Sequence, residues 1–433
     1  MAFARAPRQP LKRNTRDNIA MTKSVLVLMC DSGGGHRSVA DAIVGALEHL
    51  FPHQYRFHLA DIMVDGFPFP LSAAGRMYGP VVNRFPRLWG LFWHATNGPR
   101  RARLSLRAIS PFSAVRLRRL LVMSKPDLVV STHPWANYIS VWMLQRLGWR
   151  VPLVTVITDP VSIHHWWLCP DTELFLAPTK RARDQVVKAG LAAEKVRVVG
   201  MPIHLDFLSR ASDKGPLRRN LGLSQNRFTV LLASGGDGMG QVLPVAKAVA
   251  EALPSAQLLI VTGRNARLRR LLNSISWDVP TRVLGFVRDM PTIMRAADVI
   301  VTKAGPSTIS EALACGLPIL ISGYLRGQEE GNAEWVVRCG AGLFTPTPQK
   351  VVVALKDLVQ VENGFLGQLS QAARTAAQPY AALQAAQLID QLSMVRCAIP
   401  RRTVLDSIAG ADAGFGKRTW NRSQEGTIKR YGA

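Results

Sequence analysis

Acidic side chains are scarce in this 433-residue chain: 29 Asp and Glu stand against 54 Lys and Arg, a formal net charge of +25. That imbalance argues against cationic partners and points to anionic company, whether nucleic acid, an acidic membrane or a phosphorylated substrate. Cysteine is sparse too, with Cys30, Cys169, Cys315, Cys339 and Cys397 scattered along the chain. Their odd number and wide spacing exclude a disulfide framework, a zinc ribbon and a CxxC redox pair, leaving reduced thiols. No apolar run reaches the ~18–20 residues that a membrane-spanning helix requires. Residues 1–20 are basic but lack an apolar h-region, so they read as a loose tail, with Met21 a candidate start. Also missing are GxGxxG followed by a ribose-binding acid and the GxxxxGKS/T phosphate loop, which weakens dehydrogenase and P-loop readings.

What is present is an apolar fraction of 48%, enough for sizeable cores. Ser24–Cys30 is a continuous apolar run, followed by a glycine loop and by Ala40, Ile43, Val44, Leu47 and Leu50 at helical spacing. Phe228–Ala233, the glycine loop of residues 234–240 and Val242, Val245, Val249 and Leu253 repeat that plan. Further strands are expected at Leu128–Ser131, Leu153–Thr158, Leu174–Ala177 and Val196–Val199, then at Gln257–Thr262, Arg282–Leu284, Val299–Thr302 and Pro318–Ser322. Strands alternating with helices predict an α/β protein with two Rossmann-like units of parallel sheet facing a cleft. The expected division is a basic tail (1–23), a first unit (24–205), a second (206–375), a closing helix (376–395) within a helical stretch Phe365–Val395, and a basic, polar tail (396–433).

One segment stands out. Gly66–Pro126 holds eleven Lys and Arg and no acid, interleaved with Phe67, Phe69, Tyr78, Phe85, Trp89, Phe92, Trp93 and Phe112. Bases among bulky rings suit anionic lipid headgroups, with Arg84, Trp89, Trp93, Arg100, Arg101 and Arg103 as candidate membrane-facing residues. The same mixture could stack nucleobases, although no nucleic-acid module is recognisable and no nucleic-acid partner is expected.

Both glycine loops lie between a strand and a helix, where backbone amides and a helix N-terminus can meet a phosphate. In Gly305–Asn332, Ser307 and Thr308 open a helix suited to a pyrophosphate, and Glu311 lies one turn in, where it could accept from a ribose diol. Gln328 and Glu329 sit in a loop able to read sugar hydroxyls, with Asn332 expected to cap the next helix.

These motifs resemble glycosyltransferase family 28, and within it the monogalactosyldiacylglycerol synthases and processive diacylglycerol glucosyltransferases. The resemblance rests on the loop containing Gly33, Gly34, Gly35 and His36, on Thr155–Trp167 with Asp159, His164 and Trp167, and on the GQExGN run from Gly327 to Asn332. Ser307 stands where glycine is common, and Arg326 where proline is frequent. The resemblance implies a GT-B fold and inverting transfer of a hexose from UDP-glucose or UDP-galactose to diacylglycerol. It implies anionic membrane lipids as partners, no cofactor, no metal, and a peripheral position on the cytoplasmic face of the cell membrane. His36 is the favoured acceptor-side catalytic residue and Asp159 the alternative; His164 and Trp167 belong to the acceptor side. Gly235, Gly236, Gly238, Ser307 and Thr308 would hold the diphosphate, helped by Arg264. Phe286 would lie by the uracil, Glu311 by the ribose, and Gln328 with Glu329 by the hexose. The competing reading is an N-acetylglucosaminyltransferase acting on a polyprenyl-linked muramyl precursor.

Overall fold

The computed structural model describes residues 22–31, 34–209, 213–233, 235, 236, 238, 240–360 and 364–396. Gly33, Cys397 and most of both basic tails lie outside the described residues. The first unit runs β1 (Lys23–Met29), α1 (Gly35–Leu50), β2 (Tyr55–Asp61), α2 (Ile62–Gly66), α3 (Ala74–Arg84), α4 (Pro86–Thr96) and α5 (Pro99–Ser124). It continues through β3 (Leu128–Ser131), α6 (Pro134–Leu147), β4 (Leu153–Val156), β5 (Leu174–Ala177), α7 (Lys180–Lys188) and β6 (Val196–Val198). The second opens with α8 (Lys214–Asn220), β7 (Phe228–Ala233), α9 (Val242–Ala252), β8 (Ala256–Val261), α10 (Ala266–Asn273) and β9 (Thr281–Leu284). There follow α11 (Met290–Ala296), β10 (Val299–Lys303), α12 (Pro306–Ala314), β11 (Ile319–Gly323), α13 (Glu330–Arg338) and β12 (Gly342–Phe344). The chain closes with α14 (Pro348–Val359), α15 (Phe365–Ala376) and α16 (Ala381–Arg396).

Each unit carries a six-stranded sheet, ordered β2-β1-β3-β4-β5-β6 and β12-β11-β10-β7-β8-β9, and every pairing is parallel. Parallel strands covered on both faces need apolar residues at every position, which is why β1 and β7 read as continuous hydrophobic runs. In β1, Val25 and Val27 pack towards α1 and α16, whereas Leu26 and Leu28 pack towards α2, α5 and α6. The order reverses beside β1 and β3 in the first sheet and beside β7 and β10 in the second. Crevices at the carboxyl ends of such strands are where ligands bind in open α/β sheets. Both open on the same cleft.

Two strands escape the hydrophobic pattern: β2 and β12 are sheet edges. The β2 sequence YRFHLAD mixes charge with apolar residues because its outer side has no neighbouring strand. The expected helical stretch Phe365–Val395 is in fact two helices, α15 and α16. Pro379 forces the break: it lacks an amide proton and disfavours helix at Gln378, and Ala377 is already extended. The turn sends α16 back to the first unit, where Ala382, Ala385, Ala386 and Ile389 enter its core and Tyr55 Oη donates to Asp390 Oδ1 at 2.5 Å.

Candidate active site

A cavity of about 1040 Å³ lies between the units, lined by the loops after β1, β3, β7 and β10 and by α3 and α4. On the first unit's wall, His36 opens α1. Its Nδ1 lies 2.6 Å from the Thr132 carbonyl and 3.1 Å from Thr158 Oγ1. Donating Nδ1–H to that carbonyl leaves Nε2 as the free lone pair. Burial pushes the imidazole down to about 4, against the opposing effects of the Thr132 carbonyl and Asp61, so it is neutral at neutral pH. His133, just after β3, meets His36 edge-on with ring centres 5.0 Å apart, and its buried Nδ1 has no hydrogen-bond partner among the described residues.

Asp159 follows β4 and is 5% exposed. Trp167 Nε1 donates to its Oδ2 at 2.6 Å, and the Gln328 side chain of the second unit, lining the same cavity, also draws the carboxyl down. Burial outweighs both, and with Glu329 nearby the carboxyl is pushed up to about 6. His164 is taken up by structure: Nδ1 accepts from the Trp166 amide at 3.1 Å, Nε2 lies 3.2 Å from Thr96 Oγ1, and the ring packs against Trp93 and Trp166.

On the second unit's wall, Gly235, Gly236 and Gly238 form the turn after β7, and Gly235 and Gly238 have positive φ, the conformation glycine tolerates best. Ser307, at the start of α12, has a buried Oγ without a hydrogen-bond partner among the described residues. Thr308 and Glu311 also line the cavity. Burial alone pushes Glu311 up to about 8, and no hydrogen bond or ion pair holds it among the described residues. Glu329 is buried; its Oε1 is ion-paired with Lys303 Nζ, and its Oε2 accepts from the Leu325 amide at 3.1 Å. Asn332 does not cap α13. It lies inside that helix and donates to the Ala304 carbonyl at 3.0 Å, pinning the turn that launches α12, because Glu329 takes the cap position.

The two walls touch. Arg264 donates to Asp31 Oδ1 across the cleft at 3.0 Å and lies over the exposed Phe286 ring at 5.4 Å. Gly35 approaches Ser307, and Gly327, at φ +79°, approaches so closely that a Cβ there would stand 2.7 Å from Trp93. Tyr78 Oη donates to Gln328 Oε1 at 3.0 Å. Among the described residues, no group of three or more His, Cys, Asp or Glu could hold a metal ion.

Trp89 and Trp93 do not face outwards. Both line the cavity, and Trp93 is 5% exposed, because α4 is amphipathic and turns this pair of rings towards Gly327 and Tyr78. The outer face of α4 carries Leu88 and Leu91 instead, with Phe85 exposed between α3 and α4 and Arg84, Arg100, Arg101 and Arg103 exposed nearby. Lys303, His133 and Tyr78 are among the cavity residues that escape prediction as site residues. Lys303 and His133 each lie at the carboxyl end of a strand beside a reversal of strand order, a position that could have flagged them. Tyr78 stands out only as one aromatic among many.

Comparison with known proteins adds the family. The monogalactosyldiacylglycerol (MGDG) synthase model matches residues 36–203, and the glycosyltransferase family 28 C-terminal domain matches residues 229–392. Monogalactosyldiacylglycerol synthase 2 of Arabidopsis thaliana is 37% identical over 384 residues, covering 87% of this chain and 82% of that protein. Among solved structures, MurG of Acinetobacter baumannii has a TM-score of 0.53 at 16% identity, covering 85% of this chain and 99% of its own. HepE of Anabaena, in complex with UDP and glucose, has a TM-score of 0.54 at 18% identity, covering 85% and 98%. Likenesses this distant carry the fold, which is GT-B. The expectation of a place on the cytoplasmic face of the cell membrane is overturned: the plant relatives are chloroplastic proteins. No described helix is long and apolar enough to cross a membrane.

Proposed function

The chain belongs to the monogalactosyldiacylglycerol synthase family, a family of glycosyltransferases of glycolipid biosynthesis, and we propose that it transfers galactose from UDP-galactose to the free hydroxyl of diacylglycerol, with inversion. The observation that carries this reading is the meeting of Gln328, from the donor-side loop, with Asp159, from the acceptor side, in one cavity.

An in-line displacement needs a base near the working pH, an oriented acceptor and a neutralised leaving group. Asp159, held near 6, is a better matched base than His36, held near 4, which reverses the order favoured by sequence. As the acceptor oxygen bonds to the anomeric carbon, its proton passes to the Asp159 carboxylate and the bond to the diphosphate breaks. His36 Nε2 orients the acceptor hydroxyl. The charge left on UDP meets amides of the Gly235–Gly236 turn, the N-terminus of α12 with Ser307 and Thr308, and the Lys303 ammonium. Arg264 reaches the diphosphate on leaving Asp31, Phe286 lies by the uracil, Glu311 takes the ribose diol, and Gln328 takes the hexose. Glu329 keeps Lys303 in place. This scheme requires no metal, and a chelator should leave the rate unchanged.

The acceptor is drawn from an anionic bilayer. Support comes from the exposed Leu88 (60%) and Leu91 (68%) with the arginines around them, beside the aromatic side of the cavity. The deciding assay offers diacylglycerol in anionic vesicles with UDP-galactose, UDP-glucose or UDP-N-acetylglucosamine. A β-galactosyl lipid is expected, a glucolipid would move the donor assignment, and no glycolipid from any donor would overturn the reading.

A further inference from the structure

Tyr78 was expected only as an interfacial aromatic, yet its hydroxyl is spent inside the cavity on a residue of the opposite unit. The Gln328 amide has two unlike ends. Its oxygen accepts from Tyr78 Oη at 3.0 Å, and the side chain shares the cavity with Asp159 and draws that carboxyl down. Only a donor draws a carboxylate down, so the end facing Asp159 is the Gln328 NH2 group. Turning the amide over would set two oxygens against each other and leave Tyr78 facing an NH2 donor. The phenol therefore fixes which end of the amide Asp159 sees. One N–H faces Asp159, and the second is left for an acceptor such as a sugar hydroxyl.

We propose that Tyr78 is a positioning residue that locks the Gln328 amide with its NH2 towards Asp159, so that the base is set only when the two units are together. Gln328 is met twice by the first unit, by α3 through the Tyr78 hydrogen bond and by the loop after β4 through Asp159, whose carboxyl it draws down. The inference rests on the assignment of Asp159 as base. Other groups face that carboxyl as well: Trp167 from its own loop, Glu329 with its partner Lys303 from the second unit, and the imidazoles of His36 and His164 in the same cavity. Removing the Tyr78 hydroxyl takes away the donor to Gln328 Oε1.

Tyr78→Phe keeps the edge-on packing against Trp89, whose ring centre is 5.1 Å away, and deletes only the oxygen. In the full-length protein with diacylglycerol vesicles, it should lower kcat about 5- to 20-fold, the loss of one oriented hydrogen bond to a charged group. The acid limb of the rate profile should move up by roughly half to one pH unit, because the carboxylate loses a donor. In a Gln328→Ala background, Tyr78→Phe should change neither quantity further. Additive losses, or a fall in kcat with no movement of the limb, would overturn the proposal. A second measurement does not depend on turnover: infrared titration of the Asp159 carboxyl, identified as the band lost in Asp159→Asn, should show the same upward shift in Tyr78→Phe. An unmoved titration refutes the positioning role even if the protein transfers sugar. A moved titration with no transfer from any donor would uphold it and strike the proposed function instead.

Discussion

The indole Nε1 of Trp167 donates to Asp159 Oδ2 at 2.6 Å, and the carboxyl it holds is still pushed up to about 6. Two donors normally pull a carboxylate down, so the shift measures how strongly burial opposes the charge. The protein keeps an acid that is half-protonated near pH 6 where a base is needed.

That arrangement should cost stability. An acid whose folded value lies above its unfolded one favours folding while protonated: the contribution is complete below 3.8 and is lost as pH rises through about 6. At pH 7.5 the charge opposes folding by on the order of 1–3 kcal/mol. Asp159→Asn should therefore match or exceed the wild type in Tm at pH 7.5, lose that advantage near pH 4, and lose about 10²–10⁴ in kcat. Thermal unfolding at the two pH values, beside the transfer assay, checks both halves.

Lys303 and Glu329 form a mostly buried ion pair at the cavity wall. Taking away one partner leaves the other charge with little compensation, so Lys303→Met should destabilise the fold by about 3–5 kcal/mol. Lys303→Met combined with Glu329→Gln should recover most of the Tm. It should not recover activity if, as proposed, the ammonium meets the diphosphate. Denaturant midpoints and donor kinetics of the three variants separate the two roles.

Glu311 has no hydrogen-bond or ion-pair partner among the described residues, and burial pushes it up to about 8. At neutral pH it is mainly protonated, yet a ribose diol donates best to a carboxylate. Donor binding should thus release a proton, and donor affinity should rise with pH and level off above about 8. Calorimetry in two buffers of different ionisation enthalpy reads that proton directly. Glu311→Gln should flatten the pH dependence, while Glu311→Ala should raise donor KM about tenfold with little change in acceptor use, the loss of a charged hydrogen bond.

The sheets were legible because buried parallel strands leave few polar positions, as β1 and β7 illustrate. The edge strand β2 was not, since solvent on one side admits charge, and β12, at three residues, is too short to show a pattern. The site was legible wherever glycine loops or a chemically distinctive side chain follow a strand, as with His36, Asp159 and Gln328. Lys303 was not, because a lysine ending a strand looks like surface until the opposing Glu329 is brought to it by the fold. The orientation of Trp89 and Trp93 was equally hidden. Composition says that rings and bases alternate, but only the packing of α4 against the second unit, where Gly90 faces Arg326 and Gly327 faces Trp93, decides which rings turn in.

The outer face that remains predicts how the protein meets a bilayer. Arg101 is a poor probe, because its guanidinium donates to the Asn97 carbonyl at 2.5 Å and Asn97 in turn holds His165. Arg84, Arg100 and Arg103 are exposed, and each is worth roughly 1 kcal/mol near an anionic surface. Replacing all three with Gln should weaken binding to anionic vesicles by roughly a hundredfold at low salt, and the difference should shrink as ionic strength approaches about 0.5 M. Leu88→Glu with Leu91→Glu should weaken binding at every ionic strength, since it removes inserted apolar surface as well as adding repulsion. Vesicle co-sedimentation measures both, and turnover of a short-chain, monomerically dispersed diacylglycerol should persist in both variants. Loss of that soluble activity would mean that these side chains shape the cavity, and that the surface meeting the membrane lies elsewhere.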